Sequence, residues 1–298
     1  AEARRQGGLL ELDKHSWPWS MMLVPVMNVD LFELSNNHVW RTNFHFRGFV
    51  AGTKPRDFKL ADPKNGFSER EWVDFGFQTY YTLLDCGFHM RPTAGTASGV
   101  HPVPLGFGRV YVQLEDGFNY EDWMRGLNAG RSFVTTGPML FAHFNGKPPG
   151  HHFGGKKAKE NKTCRVTGTA ESGFPLSRLE IVKNGEVVQS VKPQSAKTKA
   201  GGYRTTFDVK VPLDGTSWVA VRCYEQRPNG RERFAHTAPV HFDVPDKPLH
   251  PRRAAIEYLI GRMKEELVRS KDTLRPDELE EYRQALRVYE KIAADGVR

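Results

Sequence analysis

The stretch SEREWVDFGFQTYYTLLDCGF, residues 68–88, decides the fold class. It begins at Ser68, has acidic residues in its first turn, repeats its aromatic residues at helical spacing and can end at Gly87. These features predict a capped amphipathic helix. A short strand-like run at residues 90–94 follows at once. A helix that leads directly into a strand is typical of parallel α/β architecture.

The same alternation continues on both sides of this stretch. A second segment that begins with acidic residues, at 120–130, also predicts a helix. The predicted strands of this region are 9–12, 29–34, 90–94, 109–114 and 132–135. We therefore expect residues 1–146 to form parallel strands with helices outside them.

Polar residues follow several of these predicted strands. In parallel α/β folds the catalytic groups gather at the carboxyl ends of the strands. After the first three strands come Asp13, His15, Trp17 and Trp19, then Asn36, Asn37, His38 and Arg41, then Thr93, Thr96, Ser98 and His101. These residues are the candidates for a functional site.

Each cluster also has a structural interpretation. Asp13 and His15 alternate along an extended backbone and could face one cavity, or they could lie in a rim loop whose tryptophans cover the core. Adjacent asparagines favour turns and helix caps, which predicts a structural role for at least one of them. His38 and Arg41 together could bind an anion or an acyl oxygen.

The second half of the chain has a different pattern. Residues 146–162 are rich in Pro, Gly and Lys, and short alternating runs follow, with a hairpin signal at Asn184-Gly185. These runs predict a small β-sandwich at residues 147–246. Residues 247–298 carry no strand signal and predict a helical hairpin divided near Pro276.

Composition excludes several classes of protein. The chain has 298 residues, 39% of them hydrophobic, which allows two domains with a substantial core. It has no run of 18 apolar residues, so we expect no membrane span. The net charge of +8 lies in loop-like clusters without interleaved aromatic residues, so we expect no nucleic-acid partner. Cys164 and Cys223 could pair across a sandwich, but a reduced buried pair is favoured.

Four segments taken in order, GGLLELDKH, VDLFELSNN, RPTAGTASGVHP and AGRSFVTTGP, resemble the CehA/McbA family of metallohydrolases. These are relatives of the polymerase-and-histidinol-phosphatase (PHP) hydrolases, and the resemblance covers nearly the whole chain. It implies the C-terminal part of a (β/α) barrel, followed by an accessory β-sandwich and the closing helices. It also implies hydrolysis of ester, carbamate or phosphoester bonds with a divalent metal, zinc or manganese.

The resemblance assigns metal ligands to several positions and removes one. His15 takes the place of a family histidine, Glu33 with Asn36 resembles an acid followed by asparagine, and Asp13 is a further candidate ligand. The family motif Gly-Ser-Asp-x-His corresponds to GTASGVH, where Ala97 replaces the metal-binding aspartate and His101 is displaced by two residues. The family's His-x-His motif is absent, and we expect it upstream of Ala1. We therefore expect this chain alone to hold a metal weakly.

Two functions from different classes follow. In the first, an enzyme, the metal ligands are His15, Asp13, Glu33 and His101, Arg41 and His38 are catalytic, and the substrate contacts are Trp17, Trp19, Asn36, Asn37, Thr93 and Ser98. In the second, a metal-free protein binds a polar ligand such as a glycan through the same pocket. In a third interpretation these residues are purely structural and contribute only to packing. The partner is a small molecule, the oligomeric state is open, and the sandwich favours an exported or periplasmic protein.

Overall fold

The computed structural model describes residues 2–39, 54–55, 58–97, 99, 103–154 and 162–298. Across these residues the chain is a mixed α/β protein with several sheets, and no closed barrel forms among them. The chain divides into two units. The first contains Ala1–Glu33, Arg41–Met90 and His250–Arg298, and the second contains Leu34–Trp40 and Arg91–Leu249.

The helices and strands are numbered here in chain order. The α-helices of the described residues are α1 (Glu2–Arg5), α2 (Ser20–Met27), α3 (Glu69–Asp85), α4 (Tyr120–Asn128), α5 (Arg253–Ser270) and α6 (Pro276–Asp295). The strands up to residue 153 are β1 (Glu11–Leu12), β2 (Leu31–Ser35), β3 (Arg91–Ala94), β4 (Arg109–Val112), β5 (Ser132–Thr135), β6 (Met139–Phe144) and β7 (His152–Phe153). The later strands are β8 (Thr163–Ser172), β9 (Leu176–Lys183), β10 (Glu186–Val191), β11 (Ala196–Lys197), β12 (Tyr203–Pro212), β13 (Ser217–Gln226), β14 (Glu232–Thr237) and β15 (Val240–Phe242).

The helix predicted from residues 68–88 is confirmed as α3. Glu71 N–H donates to Ser68 Oγ at 3.2 Å while Ser68 N–H donates to the Glu71 carboxylate at 2.8 Å, which makes a capping box. The chain leaves the helix through Gly87 at φ +85°. The Tyr80 hydroxyl then donates to Met90 O at 2.8 Å and ties the buried face of the helix to the residue before β3.

Strands β1 and β2 pair in parallel, as predicted. Glu11 lies opposite Leu31 and Leu12 opposite Phe32. All five residues of β2 are buried, as expected for a strand covered on both faces. This register places Asp13, the residue that follows β1, beside Glu33, the middle residue of β2.

The predicted C-terminal helical hairpin is confirmed as α5 and α6, which pack against each other and against α2. The buried Tyr289 hydroxyl donates to Met21 O at 2.6 Å. The Arg298 guanidinium donates to the Asp85 carboxylate at 2.9 Å. These contacts join the end of the chain to the helices of the first unit. None of the described helices combines the length and the apolar character needed to cross a membrane.

The second unit contains two sheets that share one hydrophobic core. The larger sheet follows the order β10-β9-β13-β14-β5-β4, with β15 paired to β13 and β7 paired to β15, and the smaller has the order β11-β12-β8-β6. The core includes Phe144 and Val166 of the smaller sheet and Val221 of the larger. Cys164 and Cys223 lie in this core as free, buried thiols, which confirms the favoured prediction.

The prediction that residues 109–114 and 132–135 are parallel strands was wrong. Strand β4 pairs antiparallel with β5, and β5 pairs antiparallel with β14, so both belong to the larger sheet. The connection to β6 is too short for a crossover: the Thr135 hydroxyl donates to Pro138 O at 2.6 Å and closes a tight turn. Apolar patterning therefore identified these strands correctly but assigned them the wrong partners.

Candidate functional site

The carboxyl groups of Asp13 and Glu33 form the centre of the candidate site. Both residues directly follow the paired positions Leu12 and Phe32 of the parallel strands, and their side chains are hydrogen-bonded to each other. Glu33 is only 7% exposed. Asp13 is half-exposed, and its carboxylate lies 2.8 Å from Lys14 Nζ.

These two carboxyl groups cannot both be ionised easily. Burial raises the pKa of Glu33 well above its ordinary value, and the neighbouring Asp13 carboxylate raises it further. Burial also acts to raise the pKa of Asp13, but hydrogen bonds with Glu33 and Lys14 outweigh it and leave that pKa below its ordinary value. One proton therefore stays on Glu33 and is donated to Asp13 at neutral pH.

His15 lies two residues beyond Asp13 in an aromatic environment. Its imidazole is 2% exposed, with ring centroids 5.0 Å from Phe32, 5.8 Å from Phe75 and 6.0 Å from Trp72. Helix α3 supplies two of these rings, those of Trp72 and Phe75, and therefore helps to hold the imidazole of His15 in place. Within the described part of the chain, no three His, Cys, Asp or Glu side chains converge as a metal site would require.

Trp17 and Trp19 occupy the turn that follows His15. Their ring centroids are 6.3 Å apart at 40°, and the Trp17 N–H donates to Lys14 O at 3.1 Å. The ring of Trp19 is 36% exposed. This geometry is compatible with both interpretations of the turn, as a cover for the core and as one wall of a site.

In the second unit, Asn36 and Asn37 have different roles. Asn36 Oδ1 accepts a hydrogen bond from the His38 N–H at 3.1 Å and caps the short 3₁₀ turn Asn37–Val39, which is the structural role expected for one of the pair. Asn37 is 2% exposed. Both polar atoms of its side-chain amide are buried, and neither has a hydrogen-bond partner among the residues that the structure describes.

The loop after β3 bends at the position where the resemblance expects an aspartate. Thr93 and Thr96 are buried, and the Gly95 N–H donates to Ser35 O at 2.9 Å. Ala97 then adopts φ +46°, a left-handed conformation that Asp and Asn enter more readily than Ala. Three other predicted site residues, Arg41, Ser98 and His101, lie outside the described residues.

Sequence patterns missed one polar group of the second unit. The Ser35 hydroxyl is fully buried and has no hydrogen-bond partner within the described residues. Its place at the end of β2, directly before the two asparagines, was a usable signal.

Comparisons of the chain with protein-family models, with curated proteins and with solved structures found no match.

Proposed function

We propose that this chain is the later part of a PHP-like barrel hydrolase that cleaves ester, carbamate or phosphoester bonds with a divalent metal. The observation that carries the proposal is the hydrogen bond between the carboxyl group of Glu33, within β2, and that of Asp13, which directly follows the carboxyl end of the parallel strand β1. Catalytic groups gather at this end of the strands in parallel α/β folds.

The donor set fits a divalent cation in part. Carboxylate oxygens are good ligands for zinc and manganese, and the buried Glu33 Oε2 has no hydrogen-bond partner in the described residues. The described residues offer no complete group of three ligands. The proposal therefore requires His101, or residues that precede this sequence in a longer chain. A bound metal would supply Lewis acidity and lower the pKa of its water.

The chain's own residues would hold and move protons. Glu33 would release its shared proton on metal binding, because both carboxylates must then be ionised. Lys14 already pairs with Asp13 and would keep that carboxylate oriented. We propose His15 as a further ligand and His38 and Arg41 as the groups that stabilise the oxyanion, with Trp17 and Trp19 beside the substrate.

Calorimetry with Zn²⁺ and Mn²⁺ tests this proposal. Titrations in two buffers with different ionisation enthalpies should show about one proton released for each metal bound at neutral pH. Glu33→Gln should weaken metal binding about tenfold or more, whereas the exposed control Glu257→Gln should not change it. Glu33→Gln should also lower the metal-dependent cleavage of 4-nitrophenyl acetate, a naphthyl carbamate or 4-nitrophenyl phosphate. Equal metal binding by Glu33→Gln and the control would contradict the proposal.

A second candidate function is metal-free binding of a polar ligand such as a glycan. The buried amide of Asn37, which has no hydrogen-bond partner among the described residues, favours it, since a buried polar group usually has a partner. Ala97 in place of a ligating aspartate favours it too. On this alternative, protein treated with a chelator binds a monosaccharide panel, Asn37→Leu weakens the binding and Glu33→Gln does not. Absence of binding by the metal-free protein would eliminate the alternative.

A further inference from the structure

A cleft of about 320 Å³ lies in the second unit. It is lined by β4, the start of β5 and by β6. Strand β4 ends the larger sheet and β6 ends the smaller one, so the cleft opens on the side of the sandwich where the two edge strands meet. Its volume is within the range of small-molecule sites.

Three aromatic rings form the apolar part of the cleft. Tyr111 stacks on Phe133 with centroids 5.3 Å apart and an interplanar angle of 13°, and Phe141 meets Phe133 edge-on at 5.9 Å. Tyr111 is 37% exposed and Phe141 47% exposed. Two partly exposed rings fixed by a buried third offer a rigid apolar surface, which suits a flat ligand.

The polar side chains that line the cleft include those of Arg131, Ser132, Gln113 and His143. Ser132 is 3% exposed, and neither its hydroxyl nor Arg131 Nε, both buried, has a hydrogen-bond partner among the described residues. Among the described residues that line the cleft there is no Asp or Glu. The exposed carboxylate of Asp122 is paired with Arg125 and also interacts electrostatically with Arg131. The cleft therefore combines a positive charge and an unused hydroxyl with an apolar wall.

We propose that this cleft binds a small planar organic anion of the aryl carboxylate class. The aryl ring lies against Tyr111 and Phe141, and the carboxylate accepts hydrogen bonds from Arg131 and Ser132. A carboxylate has the charge opposite to that of the guanidinium, and it accepts hydrogen bonds without itself needing an acceptor. The hydroxyls of a sugar also donate, and the lining residues that the structure describes include no carboxylate to accept from them. This inference is independent of the proposed hydrolase site.

The experiment compares 2-naphthoate with 2-naphthamide, its neutral analogue, by ligand fluorescence anisotropy on the full chain. We expect naphthoate to bind at least about tenfold more tightly than naphthamide. Arg131→Gln should weaken naphthoate about tenfold and leave naphthamide within about twofold, and Arg131→Lys should keep part of the preference. Tyr111→Ala should weaken both ligands. The exposed residues Arg283 and Phe118 provide matched controls as Arg283→Gln and Phe118→Ala.

The outcomes separate the proposal from its competitors. Circular dichroism and thermal unfolding establish that each variant is folded before its affinity is interpreted. Equal affinity for naphthoate and naphthamide, absence of naphthoate binding, or binding of glucose in preference to naphthoate would each overturn the proposal. Loss of naphthoate binding in Arg283→Gln as large as in Arg131→Gln would also overturn it, because the charge effect would then not belong to the cleft.

Discussion

Glu33→Gln is the substitution that most directly examines the shared proton. At pH 7 the folded protein holds a proton on Glu33 that the unfolded chain has lost, because burial raises the pKa of Glu33 from an ordinary value of 4.5. Each pH unit above that value costs the folded state about 1.4 kcal/mol. Glutamine is uncharged in both states, and its amide can donate to Asp13 in place of the carboxyl proton.

The expected gain follows from these values. Over the interval from 4.5 to pH 7 the proton costs the wild-type protein up to about 3 kcal/mol. Glu33→Gln should therefore raise the free energy of unfolding at pH 7 by up to about 3 kcal/mol, and the difference should vanish near pH 4. The sign is fixed by the raised folded-state pKa: the contribution of Glu33 to stability falls as pH rises above 4.5, and the variant lacks this contribution.

Urea unfolding between pH 4 and pH 8 measures the effect. Tryptophan fluorescence is a suitable signal because Trp72 packs against His15 in the same unit. Glu257→Gln, an exposed substitution of the same chemistry, should follow the wild-type curve. If Glu33→Gln were less stable than wild type by more than about 1 kcal/mol at pH 7 and kept the wild-type pH slope, Glu33 would be ionised in the folded protein and the shared proton would be refuted.

Three further predictions concern the rest of the molecule. Burial, helped by the charge of Arg222, lowers the pKa of His236 to about 3. This residue should therefore make the free energy of unfolding fall by about 1.4 kcal/mol for each pH unit below 6.5. Urea titrations of His236→Asn should show a smaller fall in the free energy of unfolding toward acid pH than those of the wild type. Ala97→Gly should raise the free energy of unfolding by up to about 1 kcal/mol, and with it the melting temperature, because a φ of +46° costs alanine more than glycine. A lower melting temperature of the variant would contradict this. Gly168→Ala would place a Cβ 2.1 Å from Phe141 O and should cost about 2 kcal/mol or more, whereas Gly173→Ala, with open space around it, should stay within about 1 kcal/mol.

Sequence patterns predicted the positions of helices and strands more accurately than they predicted which strands pair with each other. Helix α3 could be predicted because Ser68, the acidic first turn and Gly87 each act locally through the backbone. The parallel pairing of β1 with β2 followed from the spacing of apolar runs. The antiparallel pairing of β4 and β5 did not, because alternating burial defines a strand without naming its neighbour. The turn at Thr135 that sends the chain to the other sheet depends on a hydroxyl contact that patterning does not reveal.

The candidate site shows the same division. Asp13 and His15 could be chosen from the sequence because they follow a predicted strand, whereas Glu33 lies within the next strand and was chosen from the family resemblance. The shared proton could not, since it depends on how deeply Glu33 is buried and on a register that places Asp13 beside it. The cleft of the second unit was missed because its rings come from Tyr111, Phe133 and Phe141. Strands β4, β5 and β6 bring these three rings together only after the chain has crossed from one sheet to the other.

The pH dependence of the two units provides a final test of these assignments. Glu33 in the first unit makes stability fall as pH rises above 4.5, and His236 in the second makes it fall as pH drops below 6.5. The two slopes have opposite signs because one group takes up a proton on folding and the other excludes one. Hydrogen exchange resolved by peptide should therefore show β1 and β2 losing protection toward alkaline pH and β13 and β14 losing protection toward acid. Parallel changes in all four strands would mean that one group dominates both units.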